Sequence, residues 1–322
     1  MFDIKARMKF PFIKTKENFD EHFQSQIWLA VAKEICRRHQ ISYAELKRSE
    51  NGEHIVFLID DSLVIKIYRP ARRCFEREKK ALEFVGARTN FVIPEIVQIG
   101  EIENLNYILM TQLSGAAMTR AAWLTLPKNE QLAFIAELAV NLKTIHSLDA
   151  VSFECDWSEF VEDRINTFIE RQIAHGVNSQ VIESLPAFIG TNLKLLPEDF
   201  RVVFLHGDVH FGNLRLQKID RKWQISGLFD FADSRRGFHE YDFLAVGILM
   251  IQGQAEIQRE FFKSYGYAEN QLDESFRKRL MMLTMLYETS DLRRYALRLK
   301  PEAVDFSLEE LEKAIWSFAN RN

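Results

Sequence analysis

The amino-acid sequence predicts an α+β fold of two lobes: an N-terminal lobe built on an antiparallel sheet plus a helix, and a mainly helical C-terminal lobe. Three observations predict it. Short apolar segments with strand-like alternation crowd the first third of the chain. Ser114-Gly115-Ala116-Ala117 then breaks the pattern. Beyond it apolar residues recur at helical spacing, except in a β island near 201–233. The expected lobes are therefore 1–113 and 114–322, and a chain of 322 residues is long enough for two lobes with a cleft between them.

Residues 1–20 are polar and mixed and read as a loose arm. Glu21 to Arg38 reads as an amphipathic helix, with Ile27, Ala30, Ile35 and Cys36 gathered on one side. Three strands follow, at 41–48, 53–59 and 62–68, with Asp60-Asp61 as a tight turn. In the third, Leu63, Ile65 and Ile67 alternate with Val64, Lys66 and Tyr68, so Lys66 points away from that apolar row. Arg73 to Val85 is helical in pattern, and 91–102 and 105–113 read as two more strands around a Glu103-Asn104 turn. Helices are expected at 128–147, 156–174, 178–195, 240–252, 254–265, 273–299 and 307–320.

The composition is that of an ordinary globular protein, with 47% hydrophobic and 27% charged residues. A net charge of -4 argues against a general nucleic-acid binder and is compatible with a cationic substrate. Cys36, Cys74 and Cys155 are far apart and form no C-x-x-C pair, which argues against a disulfide framework or zinc site and suits a reducing cytoplasm. The N-terminus lacks the apolar stretch of a secretory signal, and the longest apolar run, Phe243 to Ile251, is too short to span a bilayer. No membrane partner is expected.

The chemistry concentrates in His206-Gly207-Asp208-Val209-His210-Phe211-Gly212-Asn213. A carboxylate follows a His by two residues, and an Asn follows that carboxylate by five. Phosphoryl transfer needs an oxygen acceptor beside the attacking hydroxyl and hard oxygen ligands for Mg2+. Asp208 suits the first task and Asn213 the second; Asp230, seventeen residues on, suits a second magnesium ligand. Apolar runs enter both positions, 202–205 before the loop and 225–229 before Asp230, and each reads as a buried strand that holds its loop. The plainer reading is a hairpin loop with a capping Asp and a turn Asn. His206 reads as a loop-orienting residue; the Gly residues around His206 and His210 argue against the helix that a zinc pair needs.

Lys66 in an apolar strand is costly to bury unpaired, so it either faces solvent or pairs with a carboxylate on the next helix. Glu78 is the better partner, because Ala81, Leu82 and Val85 continue an apolar stripe after it; Glu76 is the alternative. Such a pair would place Lys66 on nucleotide phosphates. The turn Ser49 to His54 stands where a phosphate-covering loop belongs, and backbone N–H groups around Asn51 and Gly52 suit it. Its single Gly matches neither G-x-G-x-x-G nor a Walker A loop, so an ordinary β-turn is an equal reading. Backbone groups of Thr111 and Leu113, in Leu109 to Gly115, suit the edge of a purine base.

Taken together these residues resemble the aminoglycoside phosphotransferase family, whose fold is similar to that of protein kinases. The resemblance is carried by 64–68, Glu78, 109–115, 205–214 and 229–233, with Tyr241-Asp242-Phe243 following as it does in that family. It implies the bilobal protein-kinase-like fold and ATP- or GTP-dependent O-phosphorylation of a small-molecule hydroxyl. Asp208 is then the base, Asn213 and Asp230 hold Mg2+, and Lys66 with Glu78 positions phosphate. Gly207 in place of Arg, and no Ala-Pro-Glu segment after Asp230, lean away from a regular eukaryotic protein kinase. The family also includes kinases of choline-like amines, sugars, macrolides, homoserine and protein Ser/Thr, so these remain alternative acceptors. A nucleotide-binding regulator with little catalysis is the remaining reading. A polycationic aminoglycoside calls for carboxylates beyond the loop, and Asp233, Glu240, Glu288 and Asp291 are the candidates; acidic residues on helices also commonly just face water.

Overall fold

The computed structural model describes residues 10–11, 13–50, 52–70, 73–86, 88, 92–151, 153, 156–220 and 222–318. The chain divides into two compact units, Met1–Ser114 with Phe229–Asp233, and Gly115–Leu228 with Ser234–Asn322.

In the first unit, helix α1 (Lys16–His22) starts at Thr15, whose hydroxyl accepts the Asn18 N–H. Helix α2 (Ile27–Arg38) buries Trp28, Val31, Ala32, Ile35 and Cys36, a helical stripe. The sheet consists of β1 (Leu46–Arg48), β2 (Ile55–Ile59), β3 (Leu63–Ile67), β4 (Ile96–Ile102) and β5 (Leu105–Thr111). Their order is β1-β2-β3-β5-β4, antiparallel throughout. Helix α3 (Cys74–Gly86) connects β3 to β4. Ile55, Phe57, Ile59, Ile65, Ile67, Leu105, Tyr107 and Leu109 join the α2 stripe in one apolar core. Two expectations change here. The stretch before residue 20, read as a loose arm, contributes Ile13 and Phe19 to that core, both fully buried. The helix read over 21–38 is two helices, with the Trp28 indole donating to the His22 carbonyl at 2.8 Å across the break. The apolar Phe19 and Trp28 rings pack at 5.2 Å and hold the turn closed.

The second unit begins at Gly115, whose φ of +120° and close approach to the Leu216 carbonyl exclude a side chain. It contains α4 (Arg120–Thr125), α5 (Lys128–Ser147), α6 (Trp157–Ala174) and α7 (Ser179–Asn192). The β island follows as two antiparallel pairs: β6 (Val203–Leu205) with a partner after residue 234, and the hairpin β7 (Leu214–Ile219) and β8 (Lys222–Leu228). That partner of β6 is β9 (Arg235–Gly237). The helix expected at 240–252 is instead a 3₁₀ turn (His239–Asp242), a short α8 (Phe243–Ala245) and a π-helical turn (Val246–Ile251). Here the Gly247 backbone lies so close to the Trp316 ring that a Cβ would approach it to 2.3 Å. Helices α9 (Ala255–Tyr265), α10 (Glu274–Leu286), α11 (Leu292–Leu299) and α12 (Leu308–Ile315) complete the unit. The single helix read over 273–299 is broken at residues 287–291, where Asp291 caps α11 by accepting the Arg294 N–H at 2.8 Å. Among the described residues no helix is long and apolar enough to cross a membrane.

Candidate active site

Lys66 is paired across the sheet with Val56 on β2 and Ile108 on β5. Strand alternation sends it to the face opposite Ile65 and Ile67, and it is only 6% exposed. An ammonium buried there needs counter-charges. Its Nζ donates to Glu78 Oε2 at 2.5 Å and to Asp230 Oδ1 at 2.7 Å. The Tyr68 hydroxyl donates to the same Glu78 oxygen at 2.7 Å. Burial pulls the Lys66 pKa down, but the Asp230 and Glu78 carboxylates outweigh it, and the net shift is upward. Burial pushes Glu78 up against the pull of Lys66. Glu76 is exposed on α3.

Asp230 holds a backbone φ of +66°, in the left-handed region. For a non-Gly residue this conformation costs about 1–3 kcal/mol and persists only where surrounding structure enforces it. Its side chain is 42% exposed although Oδ1 is bound to Lys66.

The loop after β6 is held from behind by Asp242, a fully buried carboxylate. Its Oδ2 accepts the His206 N–H at 2.8 Å and its Oδ1 the Gly207 N–H at 2.7 Å. His146 Nε2 donates to Oδ2 at 3.0 Å. Gly207 takes φ +89°, which lets the chain turn sharply before Asp208. His206 Nδ1 accepts the Asp208 N–H at 3.2 Å, so this ring does orient the loop.

Three donors converge on the Asp208 carboxylate. Oδ1 accepts the Tyr287 hydroxyl; Oδ2 accepts His210 Nε2 at 3.1 Å and Asn213 Nδ2 at 3.2 Å. Asn213 Nδ2 also donates to the Asp208 carbonyl at 2.9 Å, which turns its amide oxygen the other way. His210 Nδ1 accepts the Gly212 N–H at 2.9 Å, which leaves the ring proton on Nε2, facing Asp208. Burial raises the Asp208 pKa, but the hydrogen bond from His210 and the Tyr287 hydroxyl outweigh it, and the carboxyl lies below its ordinary range. Burial and the adjacent Asp208 charge push Tyr287 well up, so it stays a neutral donor.

Sequence reasoning misses Tyr287, Tyr68 and the anchoring role of Asp242, which lie 79, 10 and 35 residues from the groups they bond. Only Asp242 leaves a trace, in the Tyr241-Asp242-Phe243 segment.

Gly52 sits exposed in the β1–β2 turn with φ +112° and nothing within 4 Å of a Cβ position; Asn51 lies outside the described residues. At the end of β5 the Thr111 N–H donates to the Glu95 carbonyl and its Oγ1 accepts the Glu95 N–H. The Thr111 amide is thus committed to the sheet edge, and Leu113 is buried two residues on.

The four expected acceptor carboxylates are not one group. Asp233 lies half-buried in the first unit, after Asp230. Glu240 does not face an acceptor: it is 1% exposed, takes two hydrogen bonds from Arg279 at 2.7 and 2.8 Å, and accepts the Tyr267 hydroxyl. Glu288 accepts Arg235 Nη2 at 2.6 Å. Asp291 caps α11 and lies 3.7 Å from His175; Arg294 reaches it through its backbone N–H.

No curated protein matches the sequence. Among solved structures, the GDP complex of a mutant aminoglycoside 2'-phosphotransferase-IIIa superposes with a TM-score of 0.69 at 16% identity, over 89% of this chain and 96% of that one. The ternary complex of APH(2'')-IIa with streptomycin and ATP gives 0.60 at 18% identity, over 90% and 98%. The aminoglycoside phosphotransferase APH(3'')-Id from Streptomyces rimosus, with ADP and streptomycin, gives 0.57 at 17% identity, over 80% and 98%. These likenesses show the protein-kinase-like fold. The profile of the phosphotransferase enzyme family (APH) matches residues 46–277, a span from β1 into α10 that includes Lys66, Glu78, Asp208, Asn213 and Asp230, and the chain belongs to that family.

Proposed function

We propose that this phosphotransferase moves the terminal phosphoryl group of ATP or GTP to a hydroxyl of a small molecule, with Mg2+. The observation that supports it most is the Asp208 carboxylate, ionised and fixed by three donors in a loop that Asp242 anchors. Asp208 accepts a hydrogen bond from the attacking hydroxyl, aligns its oxygen and takes its proton as the new P–O bond forms and the bond to the departing ADP or GDP breaks. A carboxyl below its ordinary range is a weak base, which suits a transition state in which the proton moves late.

Lys66, held charged by Glu78 and Asp230, binds nucleotide phosphate oxygens. The Thr111 carbonyl and Leu113 amide take the base, and the turn around Gly52 covers the phosphates. Hard oxygens suit Mg2+: the Asn213 amide oxygen, turned away from Asp208, and the Asp230 carboxylate would hold it. When bound, the ion neutralises phosphate charge. The protein's residues do the orienting.

Structures of similar fold contain streptomycin or gentamicin, which makes an aminoglycoside-like hydroxyl the first acceptor to test. A second reading, another small metabolite, is favoured by Glu240 and Glu288, whose carboxylates are already bound to arginines. Removing Asp230 tests the nucleotide half: Asp230→Ala is expected to weaken MgATP binding in calorimetry by roughly tenfold or more, the loss of one charge-assisted ligand. Undiminished affinity would remove Asp230 from the site.

A further inference from the structure

We propose that the second unit holds a further ligand site, for a small organic cation with an aromatic body, in a cavity between α6 and the end of α7. The cavity has a volume of about 750 Å³, the size of a small-molecule site. Trp157, Val161 and Ile165 recur at helical spacing along α6 and form one wall. Leu193, Phe200 and Phe238 also line it, and Leu193 is 41% exposed. The aromatic wall is preformed. A Cβ on Gly237 would collide with the Trp157 ring, so bare backbone seats the indole. Trp157 packs against Phe160, Phe200 and Tyr241 at centroid distances of 5.7, 6.2 and 5.6 Å, and Phe200 packs against Phe238 at 5.2 Å. The site is separate from the catalytic loop: the Tyr241 ring stands between Trp157 and Tyr287, 5.6 Å from one and 5.7 Å from the other.

Two observations choose the occupant. Trp157 is 8% exposed, and the fold leaves its indole N–H with neither an acceptor among the described residues nor full burial. The cavity wall thus holds one donor that an oxygen on a ligand's ring can take. Glu162 and Glu198 line the same cavity, are exposed, and join no ion pair or hydrogen bond among the described residues. Lys194 is the other charged lining residue and is equally unpaired. Two carboxylates against one ammonium give the lining a net negative charge, which favours a cation over an anion. The apolar walls meanwhile favour a ring over a bare ammonium ion.

The test is calorimetric titration of the full chain at low salt, with and without saturating MgADP. Three probes share one ring system and differ in charge: 5-methoxytryptamine, 5-methoxytryptophol and 5-methoxyindole-3-acetate. Ethanolamine supplies the cation without the rings. 5-Methoxytryptamine is expected to bind at least about tenfold more tightly than the acetate, with the alcohol between them and no heat from ethanolamine. Its affinity should be the same in MgADP. Glu162→Gln with Glu198→Gln should weaken the amine by about tenfold, the scale of two exposed ion pairs, and leave the alcohol unchanged. Gly190 also lines the cavity, and a Cβ there meets nothing within 4 Å. Gly190→Leu therefore fills the cavity without a clash, and should abolish binding of amine and alcohol alike while Tm is kept. If that variant melts lower than the wild type, the double carboxylate variant decides alone. No heat from the amine, an acetate that binds as tightly, loss of the amine in MgADP, or amine affinity unchanged in the double carboxylate variant overturns the proposal.

Discussion

The Tyr287 hydroxyl donates to Oδ1 of Asp208, and this contact joins the break between α10 and α11 to the loop after β6. The hydrogen bond favours the charged form of Asp208. Tyr287→Phe is therefore expected to raise the Asp208 pKa and move the acid limb of the kcat/KM profile to higher pH. Because Asp208 titrates below its unfolded value, its contribution to stability is complete above about pH 4 and is lost as pH falls through the folded pKa. The variant should lose about 1 kcal/mol at neutral pH, a partly exposed charged hydrogen bond, and less in acid. An unmoved acid limb would separate Tyr287 from Asp208 chemistry.

Glu78→Gln leaves Lys66 buried with Asp230 alone. Urea unfolding is expected to show a loss of about 3 kcal/mol, the scale for breaking a buried pair. Replacing both partners, Lys66→Met with Glu78→Leu, should recover most of that stability yet abolish nucleotide-dependent stabilisation. A double variant no more stable than Glu78→Gln would show that the pair is not the source of the cost.

Gly212 is constrained by a side chain. A Cβ there would lie 2.5 Å from His210 Cε1. Gly212→Ala should push the His210 ring off Asp208 and reduce kcat with little change in nucleotide KM. In a His210→Ala background the added methyl meets no ring, so the same substitution should cost almost nothing further. Additive losses in the double-mutant cycle would contradict this coupling.

How much of this was legible in the sequence depended on distance along the chain. Lys66, with its alternating strand, and the pair Asp208 and Asn213 are local patterns, and each stands where its spacing puts it. Tyr287 and Asp242 reach the loop through tertiary packing, which no local pattern encodes. Glu240 reads as an available acid because Arg279, its partner, lies 39 residues away. The same blindness merged α10 and α11, since no Gly or Pro marks the break at 287–291.

His239 supplies a pH test of the packing behind the loop. It is stacked on Tyr265 and its Nε2 meets the Tyr267 hydroxyl at 2.8 Å, while Tyr267 donates to Glu240. Burial, with His146 and Arg279 nearby, lowers its pKa to about 3. The unfolded chain binds this proton near pH 6.5 and the folded chain does not, so stability is complete above about pH 6.5 and declines toward pH 3. His239→Gln keeps a donor to Tyr267 without a titrating ring. Its urea midpoint should fall less between pH 7 and pH 5 than that of the wild type, and parallel curves would rule His239 out as a source of the acid slope.

The most direct measurement is transfer of labelled phosphate from γ-labelled ATP to an acceptor by Asp208→Asn, read beside its MgATP dissociation constant. The account predicts a fall in turnover of at least about a hundredfold, the share of a general base, with MgATP affinity nearly unchanged. Turnover equal to that of the wild type would contradict it.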